Sequence, residues 1–441
     1  MTDQTSTEPT TTPDTEPDTE PDIVVVGAGL AGLIAATDAA RAGSRVTLFD
    51  TRRPGGRATT TRMRGFAFNQ GAHALYDTGP ARAILTSLGV PLTGGPPAVD
   101  RGRLVKGGVL HRAPGGPTSL VRTTVLSIRG KAAVGRVLGR LGSFDGDRHR
   151  HLTVNEWLDD QRLPDDAADL VRMLVRISTY TDAPDLLSAG AGIAQAAMGL
   201  AGVTYLDGGW QRLIDALHHQ ATAAGVTVRD HTAVTAIGPQ GRRWTVETGA
   251  APVTADAVIL AGLAPGEAAR LVGSTPDELG WDTLGPAVHA SCLDLGVRRP
   301  APIPALFSVD EPLYLSTHSP PADLAPEGHG VVQLLHYLAP GQAPEAAVVR
   351  ARLDAHAARA GLVPDDIVEQ RYLHRMTVAH ALPLASAGGL AGRPPATVAS
   401  HPGVFVAGDW VGGVGLLADA SAASGRAAAA AAVRWATCVT P

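Results

Sequence analysis

Residues Ile23 to Val26 form a short unbroken apolar run that stops at Gly27. A run of that kind suits a strand buried on both faces of a parallel sheet, where neither side is left for polar residues. From Leu30 to Ala42 apolar and small residues recur at helical spacing until Gly43 ends them, and Arg45 to Phe49 reads as a second strand. The pattern predicts a βαβ unit. Thr153 to Arg176 reads as helical, with Thr153 and Glu156 at capping-box spacing. Trp210 to Ala224 reads as an amphipathic helix followed by a short strand, Val226 to Val228. Further strands are predicted at Arg243 to Glu247, Ala257 to Ala261, Ser291 to Val297 and Val331 to Tyr337, with a helix at Ala346 to Ala360. Val404 to Ala407 is another buried-type strand, running into Gly408 and Asp409, and Ser424 to Trp435 is an alanine-rich helix.

This alternation predicts an α/β protein. A Rossmann-type dinucleotide-binding domain is expected from residues 22–80, 205–283 and 395–441, and an α+β substrate domain from residues 81–204 and 284–394. Residues 1–21 are mostly Thr, Pro, Asp and Glu with little that is apolar, and are read as a disordered acidic tail. With 441 residues, 44% hydrophobic and 18% charged, the chain has ample core for two or three domains. The net charge of -5 belongs to the start of the chain, where seven acids and no bases precede Ile23. The rest is close to neutral, so nothing argues for a nucleic-acid partner. Of the 37 basic residues only Lys106 and Lys131 are lysine. Cys292 and Cys438 make neither a disulfide framework nor a CxxC pair, which fits a reducing, cytoplasmic setting. No basic n-region or apolar h-region opens the chain, so no secretory signal is expected. Leu186 to Leu206 reaches the length of a membrane span, about 20 residues. Its four glycines and Gln195 instead suit a buried small-residue helix and a turn.

The strongest chemical signal is Gly27-Ala28-Gly29-Leu30-Ala31-Gly32 between the first strand and helix. Missing side chains there let the backbone approach a pyrophosphate at the helix N-terminus. Asp50, 21 residues after Gly29, ends the second strand where a carboxylate can accept hydrogen bonds from a ribose. A glycine-rich turn beside a surface acid is the bland alternative. Gly190-Ala191-Gly192 lacks both the preceding strand and the third glycine, and is set aside.

Pro54-Gly55-Gly56-Arg57-Ala58-Thr59 resembles the GGRxxT signature of the amine oxidase, phytoene desaturase and protoporphyrinogen oxidase superfamily of flavoproteins. The likeness continues through Leu206-Asp207-Gly208-Gly209-Trp210 and through Gly403 to Trp410, whose Gly-Asp-Trp ending is similar to carotenoid and squalene-pathway desaturases. Ser424-Gly425 matches the closing pair of that last motif, although Ala420-Ser421 stands where Gly-Ala is usual. The resemblance implies non-covalent FAD held by Gly27, Ala28, Gly29, Gly32, Asp50, Gly55, Gly56, Arg57, Gly71, Ala72, Val234, Gly408 and Asp409, and no metal. It also implies that Asn69-Gln70-Gly71-Ala72-His73 runs beside the flavin ring.

His73 can relay a proton there or be a histidine satisfied by backbone groups. His289, His336, Tyr337 and His380 are weaker candidates. The implied reaction moves a hydride from a small-molecule substrate to flavin N5, with oxygen or another acceptor reoxidising the cofactor. Desaturation of a lipophilic substrate is the first expectation and amine oxidation the second; a non-redox isomerase or a lipid-binding escort is the reading of another class. Many amine oxidases of this superfamily place a lysine near N5, whereas both lysines here precede residue 132. Arg129, Lys131, Arg136 and Arg140 fall among apolar residues, as on a basic amphipathic helix resting on a membrane or on a solvated helix face.

Overall fold

The computed structural model describes residues 20–439. Residues 1–19 of the expected tail lie outside the described residues. Glu20 and Pro21, assigned to the same tail, are described: Pro21 is buried, and Glu20 pairs with Arg243 at 2.5 Å.

Five parallel strands form one sheet in the order Thr227–Arg229, Val46–Phe49, Ile23–Val26, Ala257–Ala261, Val404–Ala407. Strands adjacent in this sheet are more than 140 residues apart in sequence at three of its four junctions, since only Ile23 with Val46 is a local pairing. The apolar runs are continuous because both faces are covered. One face carries the helices Leu30–Arg41, Trp210–Ala223 and Leu417–Val439, which enclose Leu33, Ile34, Ile214 and Leu217. The other carries an antiparallel sheet of Val234–Gln240, Arg243–Thr248 and Val253–Ala255, together with the helix Pro265–Leu271. Each large aliphatic side chain fully buried between these layers contributes about 1.5–3 kcal/mol.

The second sheet has seven strands in the order Ile367–Ala379, Val288–Val297, Gly330–Leu338, Leu313–Ser319, Ala305–Ser308, Arg103–Lys106, Val109–Arg112. Its neighbours are antiparallel except Ala305–Ser308 and Arg103–Lys106, which run parallel. The helix Ala346–Arg359 covers one face through Val349, Leu353 and Ala357. The helices Ile128–Arg140, Val154–Asp160, Asp165–Thr179 and Ala189–Ala201 pack together and reach the sheet at Val288 and Ala379. The Pro80–Ser87 helix starts at the expected boundary at residue 80 and buries Ala81, Ile84 and Leu85 in the core of the parallel-sheet half.

The helix expected over Thr153 to Arg176 is two helices, broken at Pro164, which has no N–H to continue the first and sits as N-cap of the second. Leu186 to Leu206 becomes the Ala189–Ala201 helix and the strand Val203–Leu206. No helix among the described residues is long and apolar enough to cross a membrane.

Candidate functional site

The first glycine loop separates packing from binding. A Cβ on Gly27, whose φ is +105°, would lie 2.1 Å from the Ala261 carbonyl oxygen, and one on Gly32 would lie 1.8 Å from that of Gly27. Those two glycines let strand, loop and helix close on one another. A Cβ on Gly29 would meet nothing within 4 Å. The fold itself leaves that space free, directly before the first turn of Leu30–Arg41, whose N-cap is Gly29 and which has no side-chain cap. Uncapped N–H groups and the helix dipole facing open space are what a pyrophosphate requires, so this cradle fits FAD. Asp50 stands beside it, Oδ2 accepting from the Ala28 N–H at 2.7 Å and Oδ1 from the Arg52 N–H at 2.8 Å.

The second loop docks on the first: the Gly55 N–H donates to the Ala28 carbonyl at 3.0 Å, and Gly55 bridges to Gly29. Gly55 and Gly56 both have positive φ, so the backbone turns sharply enough to present Arg57. Arg57 Nη1 donates to Asp409 Oδ2 at 2.8 Å and to the Val378 carbonyl at 2.9 Å. Burial alone would raise the Asp409 carboxyl; the Arg57 charge and hydrogen bonds from Arg57 and His380 overcome that and hold it far below the ordinary carboxylate range. The His380 N–H also donates to Asp409 Oδ2 at 3.0 Å, and its Nδ1 is 3.2 Å from Oδ1. His380, a weak candidate in sequence, thus joins Arg57 and Asp409, residues 323 and 29 positions away.

The last motif is explained partly by packing. Trp410 is 1% exposed, donates Nε1 to the Leu263 carbonyl at 2.8 Å and stacks edge-on against Trp281. It is a core residue. The Ser424 hydroxyl bonds Gly408 at both its N–H and its carbonyl, and a Cβ on Gly425 would strike the Ala31 carbonyl at 2.5 Å. This pair therefore seats the last helix against the first. Val234 opens an antiparallel strand with a bulge before Ala236.

The segment after the Phe66–Asn69 strand spans the two halves. Arg371 donates from Nη2 to the Asn69 carbonyl and to Asp294 Oδ2, while Gln333 reaches Asp294 Oδ1 at 2.8 Å and the Gly71 carbonyl at 3.4 Å. Asp294 is fully buried. This ion pair, missed in sequence, clamps Asn69 to Gly71 onto the seven-stranded sheet. A lone acid in an apolar strand, Asp294, facing Gln333 in the next, was the available signal.

His73 lies deep in the fold yet keeps accessible surface. Its Nδ1 donates to the Gly71 carbonyl at 2.9 Å, and desolvation, reinforced by the charges of Arg57 and Arg371, lowers its pKa. Its charge is felt at His318, where a row of buried rings begins. His73 tilts against Trp210 at 4.9 Å; Tyr205 stacks on His318 at 3.6 Å and shares a hydrogen bond with Tyr314 at 3.1 Å; Tyr314 and Tyr180 both contact Tyr337. Desolvation lowers His318 to about 3 and raises the hydroxyls of Tyr180, Tyr314 and Tyr337 well above their ordinary value, so the row is uncharged near neutral pH. Of these residues His73 and Tyr337 stood out in sequence as candidates and Trp210 as the end of a motif.

The other candidates lie apart from this row. His336 Nε2 is 3.4 Å from Arg352 Nη1, and His289 starts the Val288–Val297 strand, its pKa lowered by desolvation and by Arg375. Lys106 pairs with Asp169 at 2.8 Å and Lys131 donates to the Val121 carbonyl. Gly190 sits in a helix where a Cβ would strike the Gly146 carbonyl at 2.2 Å, so that glycine pair serves packing. Among the described residues no cluster of three His, Cys, Asp or Glu could hold a metal. Cys292 is buried with its thiol on Asp294, and Cys438 is exposed near the end of the last helix.

A parallel dinucleotide-type sheet with an open glycine cradle, joined to a separate α+β body, defines the class of FAD-dependent oxidoreductases. The chain belongs to the family of flavin containing amine oxidoreductases, which matches residues 30–433, and its cofactor is non-covalent FAD. AofH of Mycobacterium tuberculosis, designated a flavin-containing monoamine oxidase, is 32% identical over 183 residues, which are 38% of either chain. The match thus spans little more than a third of that relative's length. An oxidoreductase from Methanosarcina mazei superposes with a TM-score of 0.73 at 17% identity, over 91% of this chain and 98% of that one. Cyclohexylamine oxidase from Brevibacterium oxydans superposes at 0.68 and 16% identity, over 96% and 100%. At these identities the two superpositions speak for fold.

Proposed function

We propose that this chain is an amine oxidase, acting on the unprotonated form of a small amine. FAD would take the hydride from the carbon beside nitrogen and return the electrons to oxygen or another acceptor, leaving an imine for water to hydrolyse to aldehyde and ammonia. The carrying observation is a set of buried polar atoms without partners along the ring-lined interior: Tyr337 Oη and both ring nitrogens of His318. A hydrocarbon substrate would leave each of these unsatisfied at about 1–3 kcal/mol, whereas an amine both donates and accepts. Uncharged imidazoles and phenols leave the amine neutral, the form whose nitrogen lone pair assists hydride departure.

Family membership and the designation of AofH support this reading over lipophilic desaturation. The Gly-Asp-Trp likeness that favours a desaturase rests on a tryptophan held in the core. We place the pyrophosphate at Gly27 to Gly32, the ribose at Asp50, the adenine side at Val234, and the ring end between Gly55 to Arg57, Gly71 to Ala72 and Gly408 to Asp409. His73 is then a wall of the site, fixed by the Gly71 carbonyl. The two free cysteines suit a cytoplasmic setting.

Anaerobic mixing of the holoprotein with amines and with lipid alkanes tests the assignment. Amines are expected to bleach the flavin absorbance and, in air, to yield aldehyde and peroxide in equal amounts. Bleaching by the lipids alone would overturn it.

A further inference from the structure

Residues 101–144 carry nine basic side chains and no acid, in a chain whose net charge is -5. Both lysines of the protein are among them. Arg101, Arg112, Arg122, Arg129, Arg136 and Arg140 are exposed, and none forms an ion pair among the described residues. Their elements make one surface. The Thr123 hydroxyl donates to the Arg112 carbonyl at 2.8 Å, His111 Nδ1 lies 2.9 Å from Thr124 Oγ1, and Lys131 Nζ donates to the Val121 carbonyl at 2.8 Å. The edge strand Val109–Arg112, the short helix ending at Arg122 and the start of the Ile128–Arg140 helix are thereby adjacent.

Aliphatic side chains stand out among these cations: Val109 is 58% exposed, Leu110 45%, Val121 72% and Ile128 87%. The Ile128–Arg140 helix buries Ala133, Val134 and Val137 and leaves Arg129, Arg136 and Arg140 outward. An edge strand at the end of a seven-stranded sheet, with two of its four residues apolar and exposed, is a surface in want of cover.

We propose that this edge docks on an anionic lipid surface, Val109, Val121 and Ile128 entering the boundary between headgroups and acyl chains while the arginines meet lipid phosphates. Charge complementarity selects an anionic partner. The aliphatic side chains select lipid over nucleic acid or an acidic protein, because a polyanion held by arginines alone would leave them in water. The inference does not depend on which substrate the flavin oxidises.

Flotation of the holoprotein with vesicles of phosphatidylcholine, alone or mixed with phosphatidylglycerol, tests it. Binding is expected to the mixed vesicles only and to weaken as salt rises. At roughly fivefold per cation lost near the surface, Arg122→Glu with Arg129→Glu should lower partition by about 25-fold or more. Val121→Ser with Ile128→Ser should lower it by about tenfold, with flavin content and Tm unchanged in both variants. Equal partition to both vesicle types, or none to the mixed ones, overturns the proposal. So does a serine variant that binds vesicles like the parent while both are captured equally by heparin, which would assign the face to a polyanion.

Discussion

Gly27, Gly29 and Gly32 are identical residues with opposed duties. Gly29→Val is expected to cut the flavin-to-protein ratio after gel filtration several-fold while the Tm of the apoprotein barely moves, because the added side chain fills only the open space in which we place the pyrophosphate. Gly27→Ala and Gly32→Ala should instead lower apoprotein Tm, since each drives a methyl group into a backbone carbonyl. A Gly29 variant that keeps full flavin would remove the pyrophosphate assignment. Asp409→Asn leaves Arg57 without its counter-charge. Breaking a buried pair costs about 3–5 kcal/mol, and the lower end or less is expected because the Arg57 side chain keeps 33% exposure. The Asp409 carboxyl is held below its unfolded value, so its stabilisation is fully present above the ordinary carboxylate pKa and is lost progressively as pH falls below it; urea midpoints of parent and variant should differ by the same amount from pH 6 to 8. Sequence motif and spacing single out the glycine loop, Arg57 and Asp409. They could not mark Arg371, His318 or Tyr205, because what qualifies those is a partner distant in sequence, Asp294 on the neighbouring strand for Arg371 and a stack between two sheets for Tyr205 and His318.

Single elements were legible where their ends carry chemistry. The Thr153 and Glu156 capping box forms as its spacing predicts, with Glu156 Oε2 accepting from the Thr153 N–H at 2.7 Å and Thr153 Oγ1 from the Glu156 N–H at 3.1 Å. Thr153→Ala is expected to lower stability by about 1 kcal/mol, measured by urea unfolding. The break at Pro164 was readable in principle, and the apolar spacing on either side hid it. A cap supplied from afar was not readable: the Pro80–Ser87 helix has its Ala81 N–H bound by Asp419, 338 residues on, at 2.8 Å. Burial raises the Asp419 carboxyl to about 6, only partly offset by that hydrogen bond. The folded chain therefore holds this proton more tightly than the unfolded one, and stability falls as pH rises from about 4 to 6. Asp419→Asn keeps an acceptor for Ala81 without the ionisation. Apoprotein Tm should then rise by a few degrees at pH 7.5 and change little at pH 4; a drop at both would show that the carboxylate itself holds the helix.

At the scale of the molecule, the sequence carried the α/β class and the return of the chain to its first sheet, because continuous apolar runs and glycine loops recur at three places. It did not carry the order of the seven-stranded sheet, whose neighbours include strands far apart in sequence, as Ala305–Ser308 beside Arg103–Lys106 and Val288–Val297 beside Ile367–Ala379. Both lysines lie on the basic edge, Lys106 on Asp169 and Lys131 on the Val121 carbonyl. Lys106→Ala and Lys131→Ala are accordingly expected to keep flavin reduction by amines within about twofold, and a stopped-flow loss at full FAD content would contradict this. The parallel sheet sets a schedule for synthesis. Its central strand, Ile23–Val26, leaves the ribosome early, yet one of its two neighbours is Ala257–Ala261, and the sheet closes only with Val404–Ala407 and the helix behind it. At about 5–20 residues per second, the first glycine loop waits tens of seconds beside unpaired strand edges before Ser424 and Gly425 can lock it. Such distant pairings make for high contact order and slow folding, so a nascent chain of this protein should depend on holding chaperones and should gain its yellow colour only after Val404–Ala407 and the helix behind it have emerged.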